Sequence, residues 1–178
     1  MPVDIVLVRH AQPFVPTPGG PDEYHRSLTE DGLAAAERLV ELLAEPVPAA
    51  IVSSPYLRAV QTVAPLARAL GLPIHTDHTL REWDHGLEPT PDYARHFAAS
   101  WADPAFARPG GESLQAPTDR AVAALTAVAH EYPGRTVVVG SHGTFIAQAL
   151  VGFEWADVDW SFARNMSMPA IYRVLVGV

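Results

Sequence analysis

The chain has 178 residues, a length that suits one domain of about 100–200 residues. Hydrophobic residues make up 48% and charged residues 18%, which excludes a chain that is disordered throughout. The net charge is −8, from 20 acidic residues and 12 basic residues that are all arginine, and this argues against nucleic acid or an anionic membrane as the main partner. There is no cysteine, so disulfides, thiolate metal sites and cysteine nucleophiles are excluded.

The N-terminal apolar run is short and ends at Arg9, with no basic residue before it. A signal peptide would carry a basic segment ahead of its apolar core, so none is predicted. No apolar stretch approaches the ~20 residues that a membrane-spanning helix needs. We therefore expect a soluble cytoplasmic protein.

Short apolar runs alternate along the chain with segments whose apolar residues recur at helical spacing. Predicted strands cover residues 3–8, 50–53, 73–76, 135–140 and 168–176. Predicted helices run from Thr29 to Glu45-Pro46, from Pro55 to Leu70, over 91–101, from Glu112 to Glu131 and from Thr144 to Val151. This alternation predicts an α/β fold, a three-layer α/β/α sandwich with a mostly parallel sheet. We expect a single domain over 1–178, with a small cap or insert at about 83–111.

The first two predicted helices carry specific local signals. Thr29 is expected to cap the first helix, because its hydroxyl can accept a bond from a free backbone N–H. The buried face of this helix is predicted from its spacing to comprise Leu33, Ala36, Val40 and Leu43, widened by Leu39 and Leu42. Pro65 predicts a kink or a break in the second helix.

Two histidines directly follow predicted strands. His10 stands beside Arg9 after the first strand, and His142 lies between Ser141 and Gly143 after the fourth. Ligands of such sheets bind beyond the carboxyl ends of the strands, so both pairs should meet at one edge. A histidine there can act as nucleophile, general base or metal ligand. The charge of Arg9 opposes a metal and favours a phosphate, although the Arg-His pair alone fits an ordinary strand end better than a site.

Arg58 and three carboxylates are further candidates. Arg58 lies about one turn into the second helix, where free N–H groups and the helix dipole favour an anion, although alone it fits a solvated arginine. A phosphoryl-transfer site also needs a proton donor for the leaving oxygen. Glu82, Asp84 and Glu88 are the candidates near Trp83, and the residues alone do not choose among the three.

Five motifs occur in one order along nearly the whole chain. They are VRHA at 8–11, SSPYLRAVQT at 53–62, LRE at 80–82, PGGES at 109–113 and VVGSHG at 138–143, with a weaker LTEDG at 28–32. Through these motifs the sequence resembles the histidine phosphatase superfamily, in its phosphoglycerate mutase-like branch. The resemblance implies the phosphoglycerate mutase-like fold.

The same resemblance implies a role for each candidate residue. His10 would be the nucleophile that becomes phosphorylated. Arg9, Arg58 and His142 would bind the phosphoryl oxygens. Glu82 would protonate the leaving group and then activate water. The reaction would pass through phosphohistidine, with no metal and no other cofactor.

The leading interpretation is a metal-independent phosphatase, a phosphoric monoester hydrolase acting on a small phosphorylated substrate. A phosphoglycerate mutase is the alternative. Pro16 weakens it, since mutases often carry asparagine there. The chain also has no lysine, which leaves Arg26, Arg81 and Arg108 to grip a second anionic group.

Two further alternatives are a phosphohistidine protein phosphatase, which fits the small size, and a non-catalytic phospho-ligand binding module, which would need neither nucleophile nor acid.

Aromatic residues in the cap region suggest a covered pocket for a small ligand, although they also fit packing of the cap against the core. These residues are Trp83, Tyr93, Phe97, Trp101 and Phe106. The acidic net charge predicts a preference for monophosphates over polyphosphates. The final strand could pair with a second copy in a homodimer, or it could be covered within the chain.

Overall fold

The computed structural model describes residues 1–177, and its centre is one five-stranded sheet. In chain order the strands are β1 (Val3–Arg9), β2 (Ala50–Ser53), β3 (Ile74–Thr76), β4 (Thr136–Ser141) and β5 (Ala170–Val176). Across the sheet the order is β3-β2-β4-β1-β5. The first four are parallel and β5 runs antiparallel to β1, so the predicted mostly parallel sheet is confirmed.

Helices cover both faces of this sheet. They are α1 (Glu30–Leu43), α2 (Leu57–Leu70), α3 (Tyr93–Ala102), α4 (Gln115–Glu131), α5 (Gly143–Gly152) and α6 (Trp160–Asn165), with a short 3₁₀ helix at His78–Leu80. Successive side chains of a strand point to opposite faces. Accordingly, Val6 and Val8 of β1 pack on the α1–α2 side, and Ile5 and Leu7 pack on the α4–α5 side. The result is the predicted three-layer sandwich.

Several local signals act as the sequence indicates. The Thr29 hydroxyl accepts a bond of 3.1 Å from the amide of Gly32 and caps α1. Gly71 ends α2 in the left-handed conformation with φ of 65°, which glycine adopts without steric cost. α2 begins at Leu57 rather than Pro55, and it continues through Pro65 to Leu70. The helix therefore does not break at Pro65, because the turn around this residue is buried in the core, and this packing stabilises the helix.

The apolar face of α1 is narrower than predicted. Leu33 and Leu42 are 43% and 63% exposed, and the buried residues of this helix are Gly32, Ala36, Leu39 and Leu43. The spacing identifies the helix but not which edge of its apolar stripe meets the core. α4 also begins at Gln115, three residues after the predicted start at Glu112. α6 was not predicted, since six residues are too few to show a helical period.

Residues 81–92 and 103–114 are irregular, and α3 lies between them. Three aromatic rings from this region form one cluster, with Trp83 5.2 Å and Tyr93 5.6 Å from Phe97 between ring centroids. Phe106, by contrast, is 46% exposed. At the other end of the sheet, β5 is an edge strand, and a homodimer through it stays a prediction.

Candidate active site

The ends of β1 and β4 bring the two histidines together. The strands are adjacent and parallel, with Arg9 opposite Ser141 in the register. The amide of His10 donates to the carbonyl of Ser141 at 3.0 Å. The rings of His10 and His142 meet edge to face, with centroids 5.3 Å apart. Two residues that are 132 positions apart in sequence thus share one edge of the sheet.

His10 is held as a neutral imidazole with a defined free nitrogen. Its Nδ1 lies 2.8 Å from the carbonyl oxygen of Ala11, which can only accept, so Nδ1 carries the proton. Nε2 therefore carries the lone pair. Burial, together with the charges of Arg58 and Arg9, lowers the pKa of His10 to about 3. Near neutral pH this histidine is therefore uncharged, with the lone pair on Nε2.

Arg58 stands next to that lone pair. It is 1% exposed in the first turn of α2, and its Nε donates to Nε2 of His10 at 3.3 Å. Its guanidinium lies 5.1 Å from the ring centroid of Tyr56. The buried positive charge of Arg58 thus lies beside Nε2 of His10, where it would attract an anionic group.

Arg9 is held by the residue that follows α6. Its Nη1 donates to the carbonyl of Met166, and its buried Nε has no hydrogen-bond partner among residues 1–177. A Cβ at Gly143 would lie only 2.9 Å from that Nε. A glycine is therefore needed at this position for the guanidinium to lie against the start of α5.

His142 is buried completely. Its Nε2 lies 2.8 Å from the hydroxyl of Ser54, and the ring of Tyr56 packs 5.0 Å away between centroids. Burial, followed by the charge of Arg58, lowers the pKa of His142 well below its usual value. Within the described chain its buried Nδ1 has no hydrogen-bond partner.

Glu82 is bound by the N-terminus of α5. Its carboxylate accepts from the amides of Thr144 at 3.2 Å and Phe145 at 3.0 Å, which are N–H groups that a first helical turn leaves free. Of the three candidate carboxylates, only Glu82 lines the cavity that also holds His10. Asp84 and Glu88 line a neighbouring cavity instead.

Glu112 holds the chain on both sides of Glu82 without touching it. Its carboxylate accepts from Arg81 at 2.8 Å, Arg120 at 3.1 Å and the amide of Asp84 at 3.0 Å. Its carbonyl accepts from the indole N–H of Trp83 at 2.8 Å. Three of the four residues from 81 to 84 are thus tied to Glu112, and the position of the Glu82 backbone follows.

Two cavities meet at this edge of the sheet. The first, of about 340 Å³, is basic, and Arg9, His10, Arg26 and Arg58 line it together with Tyr93 and Phe97 from the aromatic cluster. The second, of about 450 Å³, is acidic, and its lining includes Asp22, Glu23, Asp84 and Glu88. Glu23 and Glu82 belong to both.

Sequence reasoning missed two residues of this site, Glu23 and Tyr56, and did not predict that Glu23 pairs with Arg26. Glu23 forms an ion pair with Arg58 at 2.7 Å and with Arg26 at 3.0 Å, and Tyr56 packs on His142. Glu23 and Arg26 come from the irregular segment after β1, where no periodicity indicates which side chains turn inward. Tyr56 had a usable signal, because it lies two residues before Arg58 inside the SSPYLRAVQT motif.

Residues 5–175 match the model of the histidine phosphatase superfamily (branch 1). The chain therefore belongs to this superfamily. Among residues 1–177, no group of three His, Asp or Glu side chains is placed to hold a metal ion, and no helix is long and apolar enough to span a membrane.

Three relatives illustrate the relationship. A metal-independent phosphoserine phosphatase of Arabidopsis thaliana is 31% identical over 153 residues, which cover 79% of this chain and 64% of that protein. The structure of a mycobacterial glucosyl-3-phosphoglycerate phosphatase with VO₃ superposes with a TM-score of 0.75 at 28% identity, covering 96% of this chain and 90% of its own. A phosphoglycerate mutase from Bacillus anthracis superposes with a TM-score of 0.79 at 16% identity, covering 98% and 88%, and shares the fold.

Proposed function

We propose that this protein is a metal-independent phosphatase that hydrolyses a small phosphomonoester through a phosphohistidine intermediate. The observation that carries the proposal is the neutral, buried His10, whose unprotonated Nε2 lines a cavity with three arginines. The positive charge that a phosphoryl group needs in its transition state is here supplied by side chains.

In the first step, Nε2 of His10 attacks phosphorus, and the P–N bond forms as the bond to the ester oxygen breaks. Arg9, Arg58 and Nδ1 of His142 stabilise the charge on the phosphoryl oxygens. Glu82, in its protonated form, gives its proton to the leaving oxygen, so the alcohol departs neutral.

In the second step, water attacks phosphorus on the opposite side from His10. Glu82, now a carboxylate, takes a proton from this water as the P–N bond breaks. Phosphate leaves, and His10 returns to its neutral form with Nδ1 still donating to Ala11. The two in-line displacements use the same residues in reverse roles.

The charge around the site supports a phosphatase over a mutase. A mutase must hold a second anionic group beside the phosphoryl group. Of the three arginines that could do so, Arg81 is paired with Glu112 and Arg108 donates to backbone carbonyls at 2.7 Å and 3.4 Å. Of these three, Arg26 alone lines the basic cavity, and the neighbouring cavity is acidic.

The dimensions of the site favour a small substrate. Tyr93 and Phe97 of residues 83–111 line the basic cavity of about 340 Å³, which supports our proposal that this segment acts as a cap. A volume near this value accommodates a small ligand. The phosphatase relatives are named for phosphoserine and glucosyl-3-phosphoglycerate, which are both small phosphomonoesters.

The test is hydrolysis of p-nitrophenyl phosphate in excess EDTA by the wild type, His10→Ala and His130→Ala. His130 is an exposed histidine on α4 and controls for the loss of any histidine. We expect activity that survives the chelator, is retained in His130→Ala and is lost in His10→Ala. Equal activity in all three proteins would show that His10 is not the nucleophile.

A further inference from the structure

In this structure the phosphate-binding end of Arg58 is taken by Glu23. Nη1 of Arg58 donates to the Glu23 carbonyl at 2.8 Å, and Nη2 donates to its Oε2 at 2.7 Å. The third nitrogen, Nε, donates to His10. A guanidinium holds a phosphate through a fork of two N–H groups. Here the backbone carbonyl and the carboxylate of Glu23 take up both Nη atoms of Arg58, so Glu23 lies where a phosphoryl group would bind Arg58.

A second arginine holds the same carboxylate. Nη2 of Arg26 donates to Oε1 of Glu23 at 3.0 Å and to Oε2 at 3.1 Å. The Arg26 side chain is only 11% exposed and is anchored by a bond of 2.9 Å from Nη1 to the carbonyl of Phe14. Glu23 thus has two partners, and it keeps one of them if it leaves the other.

The charge and position of Glu23 suit it to move. Burial alone would raise the pKa of Glu23, but Arg58 and Arg26 outweigh it and hold the pKa below its usual value, so the group is ionised near neutral pH. Its side chain is 48% exposed, and it belongs to an irregular segment at the border of the two cavities.

We propose that Glu23 is an internal occupant of the phosphoryl site, which the substrate phosphoryl group displaces from Arg58 and which Arg26 then retains. This inference rests on the proposed function, because it takes Arg58 as a phosphoryl ligand. A phosphomonoester dianion carries more charge than a carboxylate and competes for Arg58. The competition weakens the binding of every anion, including the product phosphate, and so limits product inhibition.

The test is isothermal titration calorimetry with inorganic phosphate on the wild type, Glu23→Gln and Glu37→Gln. Glu37 pairs with Arg68 at 2.5 Å on the exposed surface, so its substitution makes the same charge change away from the site. We expect Glu23→Gln to bind phosphate about five- to tenfold more tightly, and Glu37→Gln to match the wild type. Unchanged or weaker binding by Glu23→Gln would overturn the proposal.

Arg26→Gln tests the second partner. Without Arg26, Glu23 should stay on Arg58, so phosphate binding should weaken. In the double variant Glu23→Gln/Arg26→Gln this loss should be much smaller, because no carboxylate remains to be displaced. An equal loss in both backgrounds would mean that Arg26 binds phosphate directly, and the displacement onto Arg26 would be wrong. Circular dichroism of each variant verifies that it is folded.

Calorimetry measures phosphate binding without catalytic turnover, so the displacement of Glu23 and the phosphatase activity can be refuted independently. Tighter phosphate binding by Glu23→Gln in a protein that hydrolyses no ester would support the occupant and refute the phosphatase. Hydrolysis that depends on His10, with phosphate affinity unaffected at Glu23, would support the phosphatase and refute the occupant.

Discussion

The two sides of the site differ in construction and in charge. Strand ends and helix starts supply one side, where His10, Arg58 and His142 are each at most 6% exposed. Irregular segments supply the other side, where Asp22, Glu23, Asp84 and Glu88 are all exposed, and where the cavity is acidic.

This difference separates the reaction from the choice of substrate. Burial and the adjacent arginines keep His10 neutral, an effect that requires a site shielded from water. Exposed carboxylates on irregular segments are expected to act instead by repulsion over a distance. Substitutions on the buried side should therefore strongly lower the rate of hydrolysis. Substitutions on the acidic side should modestly change the preference for one substrate over another.

After the loss of activity expected for His10→Ala, the largest effect is expected at Glu82, which lines both cavities. If Glu82 is the proton donor and base that we propose, Glu82→Gln should lower steady-state hydrolysis of an alkyl phosphate about 10²- to 10³-fold. With p-nitrophenyl phosphate, whose leaving group needs no proton, stopped-flow measurements should still show a first-turnover burst. Loss of the burst together with the steady rate would contradict the role of Glu82.

The neutral state of His10 should appear as a pH dependence of stability. The unfolded histidine binds a proton near pH 6.5 and the folded one near pH 3, so between these values the unfolded state holds more protons. Stability is therefore lost as pH falls below about 6.5, by about 2 kcal/mol from this group at pH 5. Urea unfolding of wild type and His10→Gln at pH 7.5 and 5 measures it. Equal losses in both proteins would show that His10 is not buried in its neutral form.

A smaller effect is expected at Glu112, which lines neither cavity and holds the chain around the proposed acid, Glu82. Glu112→Gln removes the charge that pairs with Arg81 and Arg120, so kcat should fall about tenfold with KM nearly unchanged. Glu131→Gln at the end of α4 makes the same charge change elsewhere and should match the wild type. A rise in KM at constant kcat would assign Glu112 to substrate binding instead.

The smallest effect is expected from the acidic side. A nucleoside monophosphate should be hydrolysed with a kcat/KM about threefold or more above that of the matching triphosphate. The double variant Asp84→Asn/Glu88→Gln should reduce this ratio, because both carboxylates line the acidic cavity. A triphosphate that is the better substrate of the wild type would contradict the repulsion.

The same division limits what the sequence could predict. The positions of Arg9, His10 and His142 followed from strands that end at one edge of a parallel sheet. Glu82 was chosen over its neighbours only through the family resemblance, and its contact with α5 depends on tertiary packing.

Other features had no periodic signal at all. Glu23 reaches Arg58 from an irregular loop, so no pattern in the sequence indicates the contact. The exposed Leu33 and Leu42 show the converse case, since both lie on a correctly predicted helix yet face away from the core. Local spacing predicts elements, and long-range packing decides which side chains meet.

The most direct test of the central claim is to trap the intermediate. Glu82→Gln is mixed with p-nitrophenyl phosphate, and the reaction is stopped in alkali, where phosphohistidine persists. The protein is then digested, and the masses of its peptides are measured by mass spectrometry. We expect one phosphoryl group on the peptide that contains His10 and none on the peptide that contains His130. Phosphate release with His10 unmodified, or a phosphoryl group on any other residue, would contradict it.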